Sequence, residues 1–188
     1  MVGFVFGFPG YHPPAENGRV ILHSDMLAVR PEYRSVGLGY QLKLAQRDRA
    51  LAKGIDTISW TFDPLQSLNA YLNLGKLGVV ADQYRVNYYG ETTSFLHRTG
   101  TDRLWVTWLL NSERVKKRIA AEARAEPATL AEIPVAVRVG ENEEPVSPTD
   151  ALGQCSVAIE IPASINTLVR EKVEMAVRWR EATRAACT

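Results

Sequence analysis

Apolar and polar positions along this chain follow two rhythms, and the switches between them mark its elements. Residues 2–8 (V-G-F-V-F-G-F) are an apolar run that predicts a buried strand, interior to a sheet. Pro9 to Gly18, rich in Pro, Gly and Asn, predicts a loop. Arg19 to Val29 predicts a second strand, the hairpin partner of the first. From Leu38 to Lys53 the spacing becomes helical. Leu38, Leu42, Ala45 and Ala52 share one side, Lys43, Arg47 and Asp48 lie away from it, and Gly54 stands just past the end. Ile55 to Phe62 alternates as a strand. Asp63-Pro64 predicts the start of a short helix, with Asp63 as cap and Pro64 at its first position. That helix carries Leu65, Leu68, Leu72 and Leu74 and ends at Gly78. Strands are expected at Val79–Tyr84 and Arg103–Leu109, and a charged, alanine-rich helix from Ser112 to about Ala125. A strand at Ser156–Ile161 and a helix from about Ile165 to Ala186 complete the pattern.

The order strand, strand, helix, strand, helix, strand predicts an α/β (α+β) fold with a mixed sheet and flanking helices. Pro127, Pro134, Pro145 and Pro148, with Glu141, Glu143 and Glu144, mark residues 127–150 as linker-like. The expected organisation is a main domain at 1–126 and a partial C-terminal subdomain at 151–188, a strand-helix appendage. The first strand starts at residue 2 and the last helix stops at Cys187-Thr188 without a partner strand. Both ends read as cuts in a longer protein.

The junction between the second strand and the first helix carries the most chemistry. Val29-Arg30-Pro31-Glu32-Tyr33-Arg34-Ser35-Val36-Gly37-Leu38-Gly39 takes a strand into a glycine-rich turn at a helix start. The first turn of a helix has backbone N–H groups without intrahelical partners, and its dipole end is positive. Glycine permits the tight turn and lets a phosphate approach without meeting a Cβ. Main-chain binding of a phosphate or pyrophosphate is the implied chemistry. An ordinary turn into a helix is the competing reading.

Composition narrows the classes. A formal net charge of +1 over 188 residues gives no electrostatic support for coating nucleic acid. No apolar run approaches the roughly 20 residues needed to span a bilayer. The first residues lack the basic region and cleavage site of a signal peptide. The two cysteines, Cys155 and Cys187, have no metal-ligand spacing. A cytoplasmic protein without a metal is expected.

The segment V-x-P-x-x-R-x-x-G-x-G (Val29, Pro31, Arg34, Gly37, Gly39), with Leu42 on the helix that follows, resembles the acyl-CoA-binding motif of the GNAT acetyltransferase superfamily. The resemblance covers roughly residues 1–110. W-T-F-D-P-L (Trp60–Leu65), L-N-A-Y-L-N-L-G-K-L-G (Leu68–Gly78) and N-Y-Y-G (Asn87–Gly90) are similar to an uncharacterised branch of predicted acetyltransferases. The resemblance implies a GNAT-like twisted mixed sheet. It implies that amides from Arg34 through Ser35, Val36, Gly37 and Leu38 to Gly39 hold the pyrophosphate of acetyl-CoA. Met26, Leu27, Ala28 and Val29 would hydrogen-bond the pantetheine arm in a cleft where two parallel strands splay, often from a β-bulge. A free amine then attacks the thioester, helped by a general base. The pattern departs from the superfamily at Leu74, where a tyrosine often protonates the leaving thiolate; Tyr71 stands three residues earlier.

Two function readings follow. The first is an acetyl-CoA-dependent N-acyltransferase acting on an amine of a small molecule or peptide. The alternative is a non-catalytic acyl-CoA-binding or protein-interaction module on the same fold. The expected partners are acyl-CoA and an amine acceptor, with a homodimer left open and neither nucleic acid nor membrane. A different nucleotide-binding fold is disfavoured, because a dinucleotide turn would want a third glycine at Leu42.

Candidate side chains divide between chemistry and packing. Asp25 is the first choice of base and His23 the second; two apart on a strand, they are expected to face the same side. A hydrogen-bonded strand face is the competing reading. Asn69 and Asn73, at i and i+4, are candidate contacts to the pantetheine or ribose. Trp60, Trp105 and Trp108 read as core, and Tyr84, Tyr88 and Tyr89 as a surface cluster that could hold a displaced proton donor. Arg34 is expected to pair with Glu32 or solvent. Lys116-Lys117-Arg118 reads as a solvated face.

Overall fold

The computed structural model describes residues 1–11, 18–34, 36–90, 99–120, 133–148 and 154–188. By its internal contacts the chain forms two compact units, one of residues 1–61, 72–82 and 105–124, the other of residues 62–71, 83–104 and 125–188. Ser35 and the end of the helix expected to reach Ala125 lie outside the described residues.

A five-stranded mixed sheet orders its strands β1-β2-β3-β5-β4, with β1 at Gly3–Tyr11, β2 at Val20–Val29, β3 at Thr57–Phe62, β4 at Val80–Arg85 and β5 at Arg103–Leu109. β1 and β2 form the expected antiparallel hairpin. β1 is the sheet's edge strand, however, and not its interior: Phe6 and Phe8 are half exposed. Pro9 and Gly10 also belong to β1, where an edge strand tolerates proline because one side of its backbone has no ladder partner.

Helix α1 (Leu38–Ala52) ends with Gly54 in the left-handed conformation (φ 72°), as expected. Its buried face differs from the expected one. Lys43, Gln46 and Ala50 point into the unit, whereas Ala45 is exposed and Leu42 half-buried. Polar side chains can occupy that face because they satisfy one another there. Leu42 and Ala45 instead line an open cleft of about 440 Å³ with Phe4, Val5, Leu22 and Ile55. Trp60 and Trp108 are buried edge-to-face, ring centroids 6.0 Å apart, and the Trp108 indole N–H donates to the Leu77 carbonyl at 2.9 Å.

The helix expected from Pro64 begins later, at Ser67, and is helical in α form only through Ala70 (α2) before a π-helical segment at Tyr71–Leu77. Asp63 accepts from the Leu65 N–H at 3.0 Å, so it closes a turn and does not cap the helix. Leu68 is 83% exposed. Helix α3 (Glu113–Ile119) starts on Ser112, whose hydroxyl accepts from the Val115 N–H.

The second unit contains strands at Val135–Val139 and Pro145–Val146, where a linker was expected, and one at Ala158–Ile159, inside the strand expected at Ser156–Ile161. β6 (Val135–Val139), β7 (Pro145–Val146) and β8 (Ala158–Ile159) form a three-stranded sheet in the order β7-β6-β8. The long C-terminal helix is two, α4 (Ile165–Glu171) and α5 (Val173–Cys187), broken at Lys172 (φ −144°, ψ 61°). Leu65, Val137, Ile165, Leu168, Ala176 and Trp179 form the core of this unit. α5 is pinned by two arginines one turn apart. Arg180 takes Asp63, and Arg184 takes the buried Asp102 through two contacts of 2.9 Å. Tyr84 donates its hydroxyl to Asp102 at 2.7 Å, which removes it from the expected surface cluster; Tyr88 and Tyr89 do meet, edge to face, with ring centroids 5.0 Å apart.

Candidate functional site

The first unit carries a cleft made by two strands that part company. β2 and β3 are parallel and pair at Leu22–Ile58 and His23–Ser59. β2 then runs on to Val29 and β3 to Phe62, and beyond His23 the ladder of β2 among the described residues is with β1. A parallel pair that stops pairing while both strands continue opens backbone donors and acceptors along both margins.

The parting coincides with a β-bulge. β1 pairs Phe6 with Met26 and Gly7 with Ser24, so Asp25 is the extra residue of β2. An extra residue reverses the side-chain parity of everything beyond it. Ser24 bonds side chains of α1, and Leu27, three residues later, lies 3.7 Å from where a Cβ on Gly39 of α1 would stand. Both therefore face α1, which the alternation of an unbroken strand forbids. The bulge also removes the basis for reading His23 and Asp25 as one face from an i, i+2 spacing. Asp25 is exposed on the bulge, and His23 is half-buried.

His23 stands at the last paired position. Its Nδ1 is 3.4 Å from the Ser59 hydroxyl, and the rings of Phe8 and Trp105 approach it at centroid distances of 5.3 and 5.6 Å. Burial pulls the imidazole below its ordinary value of 6.5; Asp25 opposes this and Lys43 adds to it. The ring is therefore mainly neutral at pH 7, as a proton acceptor must be.

Lys43 lies on the other side of the same junction. It is 4% exposed, donates to Ser24 Oγ at 2.7 Å and Gln46 Oε1 at 3.2 Å, and sits 3.7 Å over the Trp60 ring. Burial lowers its ammonium from 10.5 to about 7. Periodicity assigned this residue to solvent. A lysine among Leu and Ala spacings carries no signal of burial when its partners, Ser24 and Trp60, come from distant strands.

Below the cleft, α1 begins on Gly37, whose φ of 81° is left-handed and whose position has open space around a Cβ. Conformation, not crowding, requires glycine there. The first intrahelical bond is from the Gln41 N–H to the Gly37 carbonyl at 3.1 Å, so Leu38, Gly39 and Tyr40 keep N–H groups that the helix does not use. Among the described residues no side chain caps them, and no acid stands in the first turn. Val36 is exposed beside them. Arg34 does not pair with Glu32: its Nε donates to the Val29 carbonyl at 3.1 Å, and Arg30 takes Glu32. Arg34 thus ties the turn to the end of β2. Met26, Leu27, Ala28 and Val29 form the margin of β2 between the bulge and that turn.

Asn73 is buried in the π-helical segment, and Asn69 is exposed on α2 in the other unit. The change from α to π geometry between them removes the shared face that an i, i+4 spacing implies in an α-helix. Leu74 is half-buried in that segment, and Tyr71 is exposed. Among the described residues, no group of three or more His, Cys, Asp or Glu could hold a metal ion, and no helix is long and apolar enough to cross a membrane.

No family model matches the chain, and no curated protein matches it. Solved structures do. Arabidopsis thaliana NAA60 in complex with a bisubstrate analogue superposes with a TM-score of 0.50 at 12% identity, over 59% of this chain and 66% of that one. The NatB acetyltransferase complex bound to a bisubstrate inhibitor gives 0.48 at 21% identity, over 58% of this chain and 62% of that one. A GNAT family acetyltransferase from Elizabethkingia anophelis with acetyl-CoA bound gives 0.46 at 17% identity, over 58% and 69%. This chain spans about three fifths of the NatC and NatB chains it matches, 60% and 62% of their lengths. The shared feature is the fold: a mixed sheet flanked by helices, as in the GNAT N-acetyltransferases.

Proposed function

We propose that this chain, built on the GNAT acetyltransferase fold, is an acetyl-CoA-dependent N-acyltransferase that moves an acetyl group to an amine of a small molecule or peptide. The observation that carries this reading is the parting of β2 and β3 after His23 and Ser59, with the unused amides of Leu38, Gly39 and Tyr40 at the turn beyond it. The pyrophosphate of the coenzyme takes the amides between Arg34 and Gly39, where an anion meets the positive end of α1, whose first turn carries no acid. The pantetheine arm adds its amides to the margin Met26–Val29 as a strand would, with Asn73 at the π-helical segment. The thioester then lies near His23.

Of the two expected bases, His23 has the better placed and better tuned nitrogen. It stands at the parting point and is held neutral by burial, while Asp25 acts on it by charge from the bulge. The amine nitrogen attacks the thioester carbonyl, the C–S bond breaks, and His23 takes the proton that the nitrogen sheds. The departing thiolate takes its proton from water, since Leu74 has none to give. Leu74 also favours a second reading, an acyl-CoA-binding module without turnover.

Titration of the protein with CoA and acetyl-CoA, followed by thiol release with an amine panel, tests both. Acetyl-CoA binding with amine-dependent thiol release is the expected result. Binding without release over a broad panel favours the binding module, and no CoA binding by folded protein overturns both.

A further inference from the structure

Lys43 is a buried cation that the mechanism above does not use, and its position is specific. The last ladder pair of β2 and β3 is His23–Ser59. The next residue of each strand is Ser24 and Trp60, and these two are what Lys43 touches: the hydroxyl at 2.7 Å and the indole face at 3.7 Å. Gln46, one turn along α1, completes the arrangement by accepting from both Lys43 and Ser24. The ammonium therefore bridges the two strands at the point where their own hydrogen bonding ends. A cation–aromatic contact is favourable in a desolvated site, while keeping that charge out of water costs stability. A chain that needed only to fill this space would do better with methionine.

We propose that Lys43 is a positioning residue of the acyl site, bracing β2 against β3 under the opening of the cleft, at the residue of β2 that follows His23. This rests on the acyltransferase reading for its purpose, though the coupling of Lys43 to His23 does not. The groups around His23 are few enough to separate. Asp25 on its own strand favours the imidazolium, and Lys43 on α1 opposes it. Phe8 of β1, Ser59 of β3 and Trp105 of β5 carry no charge. Around Lys43 itself stand Ser24, Gln46 and Trp60, all uncharged.

The test follows the His23 ring by NMR from pH 5 to 9 in the wild-type protein and in Lys43→Met and Lys43→Arg, with the pH profile of thiol release beside it. The expected wild-type titration has a second, smaller inflection near pH 7, where Lys43 itself exchanges its proton. In Lys43→Met the His23 midpoint rises and the rising limb of thiol release moves up with it. In Lys43→Arg, which keeps the charge, both stay in place. An unmoved midpoint in folded Lys43→Met overturns the proposal. So does a midpoint in folded Lys43→Arg that moves as far as it does in Lys43→Met. If the midpoint moves but no CoA binds and no thiol is released, the coupling stands and the acyltransferase reading falls. If thiol is released with an unmoved midpoint, the reverse holds.

Discussion

Arg180 holds Asp63 by two parallel hydrogen bonds, Nη1 to Oδ1 at 2.8 Å and Nη2 to Oδ2 at 2.9 Å, and the arginine is 3% exposed. Burial works against the guanidinium's charge, and Asp63 more than offsets it. Replacing Asp63 by alanine leaves a buried cation without its counter-charge, which typically costs about 3–5 kcal/mol. Denaturant unfolding of Asp63→Ala should show that loss. A change under about 1 kcal/mol would mean the pair is not maintained in solution.

Gly37 and Gly39 differ in why they are glycine. Gly37→Ala should cost about 1–2 kcal/mol, the penalty of a left-handed backbone for a residue with a Cβ. Gly39 sits inside α1 with only ordinary contact to Leu27 at 3.7 Å, so Gly39→Ala should stabilise the helix by about 0.5–1 kcal/mol. The same methyl would crowd a pyrophosphate on the amides, lowering CoA affinity about tenfold. Gly37→Glu should abolish CoA binding by placing a carboxylate against it. Calorimetric titration beside thermal unfolding separates the two effects. A Gly39→Ala protein that binds CoA normally would move the coenzyme elsewhere.

Lys43 makes folding depend on pH in a defined window. The unfolded chain keeps this proton up to about 10.5, whereas the folded protein releases it near 7. Between those values the unfolded state binds more protons, so the contribution to stability rises with pH, by an amount on the order of several kcal/mol across the window. Lys43→Met leaves Ser24 donating to Gln46 at 3.0 Å and removes the buried charge. The variant should be more stable than wild type below pH 7, with the difference shrinking toward pH 10. Urea midpoints at four pH values decide this. A constant difference would mean that Lys43 does not titrate in this range.

Thiol release should rise with pH through a His23 midpoint below 6.5 and be level by neutral pH. His23→Gln should lower kcat by about 10²–10⁴. Asp25→Asn removes the charge that favours the imidazolium, so the midpoint should fall further. Loss of thiol release in Asp25→Asn, with the His23 ring still titrating, would show that Asp25, and not His23, accepts the proton.

What could be read ahead of the structure was what depends on local rules. Strand β5 was expected at its observed bounds because R-L-W-V-T-W-L alternates without interruption, and Gly54 and Ser112 mark helix ends by conformation and side-chain chemistry that act within a turn. The elements misread were decided at long range. Arg180 lies 117 residues from Asp63 and takes both its carboxylate oxygens, so the cap that D-P suggests became a clasp, and the helix began at Ser67. Ser24 and Trp60 pull Lys43 inward although its neighbours on α1 point the other way. The Gly-x-Gly turn was legible because glycine at a left-handed φ needs no distant partner. The candidate site was legible only in part, since the extra residue at Asp25 exists only relative to β1.

That extra residue gives β2 a fixed length as well as a shape. Its two halves are out of phase, so the Val20–Ser24 half and the Met26–Val29 half each present the correct side to α1 only while one residue stands between them unpaired. A protein lacking Asp25 would join the halves in one phase, turning Leu27 from Gly39 and exposing it. The loss would show as a lower folded fraction in circular dichroism. Substitution along this strand alters one contact at a time. Insertion or deletion exchanges the inside and the outside of the Met26–Val29 margin at once, so the count of residues in β2 constrains the chain more tightly than most of the residues themselves do.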